Sequence, residues 1–488
     1  MHFTALTATS TIVWLIVFAF FFALAGMLYA RHRRDNLEDY VVARNSQGVR
    51  ATTLTLLASS LGAWILFSPA QAATWGGVAA ITGYALGSMA PQLSLLFLGP
   101  RMRQLVPKGH TLTEFVLHRY GPAMYRLALA IIIFYMFISL SAGITATAKM
   151  MMLIAPIPLG LTAAIVLLAT LVYTSYGGLR ATIFTDQLQM LVILPLLLLL
   201  VGFGIQQAGI GETVTRLRIQ APQLLAFDDL SGLKSGLTFF VAILLTGIFH
   251  QGNWQRIYAA QTPKALQRGF LLGGLLVAPF IFVMGLFGLA FVAYTPQGDP
   301  SVALFSFLLP HLPTWFVIAL IPLALALVMS SADTTISAFS SLFIVDGQRL
   351  LPGLNQAALL RLSRWFVWLL CIPVWYVSAQ GYSVLYLFLL ADLLCSAAAF
   401  PVFYGLYSQR HIGRNAVLST LAGLAVGLYL FPSPGGNMNT LLESFLAAAG
   451  VPAILSLLLE RFVPAKQHFA LESLKDRVQG MGQRVING

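Results

Sequence analysis

Inside an apolar stretch of the 488-residue chain, 313–344, two adjacent serines, Ser330 and Ser331, precede Asp333 and Thr334, and Asp333 is the one ionisable group there. Hydroxyls are hard oxygen donors, and a flexible cage of hydroxyl and carbonyl oxygens suits a hard cation such as sodium. The competing use of a serine in an apolar helix is a bond to its own i−4 carbonyl, or close packing on a neighbour. A carboxylate deep in apolar surroundings costs about 2.5–3.5 kcal/mol even on insertion scales, and so marks an ion or proton path. Asp186 begins a second apolar stretch, 186–206, where it either caps a helix near water or faces that path. Asp392 lies in a third, 382–406, with His250 as one candidate partner. Ser60 with Trp64, and Phe249-His250-Gln251, combine hydrogen-bonding groups with rings and form the expected lining for a small polar organic solute. Neither His-Glu-x-x-His nor Gly-x-Ser-x-Gly occurs, so the chain does not read as an enzyme or as a transition-metal protein.

The elements that must hold these residues follow from composition. Apolar residues make up 58% of the chain and charged residues 9%, against about a quarter charged in soluble chains. No Asp, Glu, Lys or Arg occurs between Arg50 and Arg101, and further charge-free runs include 150–179, 187–211, 300–332 and 415–442. About 20 apolar residues suffice for one crossing. The chain therefore reads as an all-α polytopic membrane protein, which excludes a secreted enzyme, a nucleic-acid binder and a disordered scaffold. Thirteen spans are expected, at 10–30, 51–75, 78–99, 124–153, 158–176, 186–206, 236–257, 268–295, 313–344, 361–380, 382–406, 415–431 and 442–461. The first is followed at once by Arg31-His32-Arg33-Arg34 and has no Lys or Arg before it, unlike a cleaved signal. Cys371 and Cys395 both fall in spans and carry no redox information.

Of the 28 lysines and arginines, all but Lys149, Arg216, Arg218 and Lys234 fall on one set of alternate loops. That asymmetry predicts an outside N-terminus and a cytoplasmic C-terminus, and it assigns the net charge of +12 to the membrane rather than to an acidic ligand. Setting aside an extra span and its loop (1–50), ten spans divide into 51–206 and 236–406 around an external loop, 207–235. Two additional spans (407–463) and a tail (464–488) follow, the tail as a short amphipathic helix on the inner leaflet or without order. Groups of five enter the bilayer from opposite sides, the arithmetic of an inverted repeat. The first span of each group carries helix breakers, in Gly62-Ala-Trp-Ile-Leu-Phe-Ser-Pro69 and Gly247-Ile-Phe-His-Gln-Gly252. Freed backbone groups are tolerated at that depth only when buried or lining a cavity.

The segment Tyr176-Gly-Gly-Leu-Arg-Ala-Thr-Ile-Phe-Thr-Asp186-Gln-Leu-Gln189 resembles the signature of the sodium/solute symporter family, carriers of proline, glucose, sialic acid and urea. Asn253-Trp-Gln-Arg256 with Ala259-Ala260, and Ser330-Ser-Ala-Asp333 with Ser340 to Asp346, are similar to its other landmarks, and the likeness runs from about residue 10 to 430. It implies a LeuT-type inverted-repeat core and a shared sodium site formed by Ser330, Ser331 and backbone oxygens of Ala58, Leu61 and Leu327. In sialic-acid-type relatives a second sodium site uses positions matching Asp186, Asp333 and Thr334, with hydroxyls at the latter two. The acid at Asp333 here suits a second cation, a proton or a guard of the exit path. Gly109-His-Thr-Leu-Thr-Glu114 and Leu385 to Leu390 look most like the urea-permease branch. Proline-type carriers have an aspartate where Ser60 stands, so a cationic solute is not expected. The resulting reading is a sodium-coupled symporter of a bacterial-type inner membrane that imports a small polar organic solute by alternating access. It would need sodium, or a proton in its place, and no other cofactor; a membrane-embedded sensor and a proton-coupled urea-like permease are the alternatives.

Overall fold

A computed structural model describes residues 6–31, 37–350, 353–433, 438–463 and 468–478. Arg33, Arg34 and the tail beyond 478 lie outside the described residues. Apart from one isolated bridge, Gln47 with Ala260, these residues form no β-structure. Among the described residues, ten helices are long and apolar enough to cross a membrane.

The chain opens with α1 (Ala8–Arg31), a short α2 (Leu37–Val41) and α3 (Val49–Ser60). The last of these stops where expected. Leu61 leaves helical geometry (φ −90°, ψ 71°), Ala63–Leu66 form one 3₁₀ turn, and α4 (Ser68–Leu105) restarts with Pro69 in its first turn. Proline is favoured at that position because its missing N–H has no intrahelical partner anyway. Inside α4, Gly77 adopts φ +59°, and a Cβ there would lie 2.0 Å from the Leu224 carbonyl oxygen. Only glycine fits both demands.

Beyond α5 (Leu112–Tyr120) and α6 (Pro122–Ile154) comes α7 (Leu159–Ala208), whose 50 residues hold one non-helical position, Gly178 at φ +54°. The expected spans leave a loop at 177–185 and open the next crossing at Asp186. Instead a single left-handed glycine turns the chain, with Tyr40 filling the space a Cβ would need. Asp186 consequently sits two turns inside a helix, fully buried, and does not cap it.

An amphipathic α8 (Ile210–Gln220) leads to α9 (Leu230–Gly247), which packs against α4 at glycines: a Cβ on Gly83 would strike the Gly236 carbonyl at 2.0 Å. Small residues let backbones approach in the way membrane helices require. The second break is Ile248–His250, before α10 (Gln251–Ala259). Its loose carbonyls are closed by α10 itself, Asn253 Nδ2 donating to Gly247 O (2.9 Å) and Trp254 Nε1 to Ile248 O (2.8 Å). Next come α11 (Pro263–Tyr294), α12 (Ala303–Leu308), α13 (Thr314–Leu350), α14 (Gln356–Ala379) and α15 (Val384–Tyr404). A final helix pair, α16 (Gly413–Leu430) and α17 (Leu441–Phe462), precedes α18 (Leu474–Arg477). The apolar residues of this last segment, Leu471, Leu474 and Val478, are buried, and α18 packs on α5, so they turn onto the protein rather than onto a lipid surface.

At the end of the bundle near α5, charged side chains knit four segments together. His110 Nε2 is 2.6 Å from Glu38 and its Nδ1 is 3.1 Å from Glu114. Arg44 pairs with Glu38 (2.6 Å), and Arg349 on α13 pairs with Glu114 (3.1 Å). Burial alone would depress the His110 pKa, but the two carboxylates outweigh it and the net shift is upward. For Glu38, burial pushes upward, and His110 and Arg44 prevail in the downward direction. The Gly109 to Glu114 segment is therefore scaffold: Thr111 and Glu114 close a capping box at the start of α5.

Candidate ion and solute site

The two breaks meet at a cavity of about 150 Å³. Ser60 and Trp64 come to it from the first break, His250 and Asn253 from the second, Ser331 and Thr335 from α13, and Asp392 from α15. Rings form much of the wall, Trp64 lying 5.8 Å from Tyr84 and 6.0 Å from Phe388, with Tyr135 edge-on to His250 at 5.9 Å. Gln92 Nε2 donates to Ser60 Oγ at 2.9 Å, fixing that hydroxyl at the rim of the first break.

Beside this cavity the hydroxyl pair meets the broken helix. Ser330 Oγ reaches Ala58 O (3.0 Å) and Leu327 O (3.1 Å), while Ser331 Oγ reaches Leu327 O (3.2 Å) and Val328 O (3.1 Å). The Ala58 carbonyl belongs to the last turn of α3, where helical partners run out. Leu61 is fully buried in the break, and the next residue, Gly62, comes so close that a Cβ on it would lie 3.1 Å from Ser331 Oγ. Two hydroxyls and several backbone carbonyls, hard oxygens drawn from α13 and the end of α3, are the donor set a sodium ion takes.

A second polar cluster lies deeper, and its hub is Arg256, for which the sequence alone gives no role. Arg256 is buried and places Nη2 3.0 Å from Asp186 Oδ2 and 2.8 Å from Thr334 Oγ1. Its Nε donates to Thr55 Oγ1 (2.9 Å) and Nη1 to Gly252 O (3.1 Å), and the Thr55 hydroxyl itself donates to Asp186. Asp333 is held separately, by Tyr173 Oη (2.6 Å) and Thr185 Oγ1 (3.0 Å). The guanidinium thus contacts one of the two carboxylates, that of Asp186, and the Oδ1 atom of each has no hydrogen-bond partner.

The structure corrects two of the proposed lining residues. Phe249 is fully buried away from the cavity, 5.3 Å from Phe403, because the break turns its side chain toward α15. Gln251 also points elsewhere: Nε2 donates to His110 O (3.0 Å) and Oε1 accepts from Leu112 N (3.1 Å), tying α10 to the start of α5. Ser60, Trp64 and His250 do line the cavity. Asp392 and His250 face the same space, with no hydrogen bond between them among the described residues. Nothing in the sequence around Arg256 marks it as the cation that meets Asp186. Gln92 and Tyr135 carried no such mark, since only the folding of α4 and α6 around the breaks brings them in.

The model of the Sodium:solute symporter family matches residues 40–423. The chain belongs to that family. Among curated relatives, the Spermidine transporter DUR31 of Candida albicans is 27% identical over 433 residues, 86% of this chain and 79% of the relative. The human Sodium/myo-inositol cotransporter 2 is 24% identical over 463 residues, covering 85% of this chain and 68% of the relative. Among solved structures, a substrate-bound, outward-open Na+-coupled sialic acid symporter superposes with a TM-score of 0.74 at 19% identity, covering 94% of this chain and 99% of its own. The nucleobase-cation-symport-1 transporter Mhp1 does so with a TM-score of 0.56 at 13% identity, covering 91% and 100%. The fold is accordingly the LeuT-type transporter fold, and this family member is a sodium-coupled secondary transporter, not an enzyme.

Proposed function

We propose that this symporter carries a small polar organic solute inward with sodium across a bacterial-type inner membrane. In this reading the chain crosses thirteen times, with its N-terminus outside and its C-terminus in the cytoplasm. The halves 51–206 and 236–406 form the inverted repeat, each broken once, and the cavity between the breaks is the solute site. Sodium binds to Ser330, Ser331 and the carbonyls of Ala58, Leu61 and Leu327. The observation that carries this is the Ser330 hydroxyl set 3.0 Å from the Ala58 carbonyl, across two helices, at the point where α3 ends. Coupling follows from adjacency, since Ser331 belongs both to the hydroxyl pair and to the cavity wall.

The deeper cluster supports a second cation or proton step. Asp186 pairs with Arg256, Asp333 has only hydroxyl partners among the described residues, and Thr334 adds an oxygen beside the guanidinium. Relatives named for spermidine and myo-inositol set the range of solutes, from organic cations to neutral polyols. One cation entering down 100 mV releases about 2.3 kcal/mol, enough for roughly fifty-fold solute accumulation, as each tenfold step costs about 1.4 kcal/mol. The test is uptake into proteoliposomes with sodium and pH gradients imposed separately. Ser330→Ala with Ser331→Ala should abolish sodium stimulation in protein that still elutes as a single folded species. Undiminished stimulation would remove the assignment.

A further inference from the structure

Asp392 is the acid that the ion network leaves out. It is nine-tenths buried, lies one helical turn beyond Phe388 on α15, and shares that residue's face toward the cavity. No lysine or arginine lines the cavity, and Asp392 takes part in none of the ion pairs among the described residues. The other titratable neighbour, His250, accepts a hydrogen bond at Nδ1 from the Gly252 N–H (3.1 Å), which leaves its proton on Nε2 and the ring uncharged. A carboxylate at this depth without a counter-charge is costly, and a guest that brings the charge relieves the cost.

The rest of the wall fits the same guest. Trp64, Tyr84, Tyr135 and Phe388 supply ring faces that attract cations. Gln92, having given its amide hydrogen to Ser60, has a buried Oε1 with no partner. The cavity is thus rich in acceptors and π-faces, which suits an ammonium, a group with three donors and no acceptor. A bare metal ion would instead need several oxygens around it. The substitution of Ser60 for an acid argued against a cationic solute, but here the acid arrives from α15 instead of from the first break.

We propose that the cavity between the breaks takes an organic cation, an alkylammonium held by the Asp392 carboxylate and enclosed by the rings of Trp64, Tyr84, Tyr135 and Phe388. The proposal rests on reading that cavity as the solute site. The test measures equilibrium binding to the full-length purified protein in sodium buffer, with 1,4-diaminobutane and spermidine against myo-inositol, glucose and urea. The amines should bind and the neutral solutes should not. Asp392→Asn should weaken amine binding at least tenfold, and Asp392→Glu, which keeps the charge, should retain most of it and serves as the folding control. Binding of neutral solutes in place of the amines, amine binding unchanged in Asp392→Asn, or no binding by any amine overturns the proposal. Sodium-driven uptake in vesicles separates it from the broader reading. Amine binding without sodium-dependent accumulation keeps the cation site and removes symport, whereas sodium-driven uptake of neutral solutes alone does the reverse.

Discussion

Replacing Arg256 by Met removes the one positive charge within the Asp186 cluster while keeping much of the side-chain bulk. Both partners are essentially inaccessible to solvent, at 1% and 0% exposure, and their contact is 3.0 Å. Asp186 would retain the Thr55 hydroxyl, and Gly252 O and Thr334 would lose their donor. Breaking a buried pair from one side typically costs about 3–5 kcal/mol, because the surviving charge stays behind uncompensated. Asp186→Asn, which strands the guanidinium instead, belongs in the same range. If the two groups acted independently, the double variant would lose the sum, on the order of 6–10 kcal/mol. A mutually compensating pair predicts a double variant no worse than either single one, and therefore a coupling energy of about 3 kcal/mol or more. The assay is unfolding of the purified protein in mixed micelles by increasing SDS mole fraction, across the four members of the cycle. Additivity within about 0.5 kcal/mol would refute the claim that Arg256 and Asp186 neutralise one another.

Gly77→Ala should lower stability by at least the roughly 1–3 kcal/mol of a forced left-handed residue, since the Leu224 carbonyl leaves no room for a methyl group; the same unfolding assay reads it. His110 and Glu38 make the α5 junction pH-dependent. The raised pKa of His110 gives stability that is complete below its ordinary value of 6.5 and is lost as pH rises through the shifted value. The lowered pKa of Glu38 gives stability present above 4.5 and lost as pH falls through its own shifted value. The thermal midpoint should therefore decline as pH rises above about 6.5, and His110→Asn should flatten that decline. Gln251→Ala should destabilise the protein by about 1–3 kcal/mol, the cost of stranding two buried backbone partners, while leaving the affinity of any transported solute within twofold. A large change in affinity with little loss of stability would return Gln251 to the lining.

Residue type made the hydroxyl pair legible, because two hydroxyls and a carboxylate stand out in a stretch that is otherwise nearly apolar. The breaks were legible for a similar reason: Gly62, Pro69, Gly247 and Gly252 interrupt runs that would otherwise form continuous helices, and both interruptions occur where expected. Side-chain direction within a break was not legible. Phe249, His250 and Gln251 are consecutive yet point to three different places, because no 3.6-residue period holds where the helix stops. The loop expected at 177–185 failed for a related reason, one positive φ at Gly178 doing the work of a connection. Arg256 was hidden by its neighbours, since nothing in Asn253-Trp-Gln-Arg says that this cation points inward until α7 brings Asp186 alongside.

The two interruptions are closed by different hands. Asn253 and Trp254 fasten the loose carbonyls at Gly247 and Ile248 from within their own half-helix, so that elbow travels as one piece. The Ala58 carbonyl has no such local clasp and leans on a hydroxyl borrowed from α13. Sliding α13 past α3 would strip that oxygen bare, and an ion arriving there would replace the lost support. Of the two joints, the earlier depends on a neighbouring helix for its closure, and the later is closed within itself.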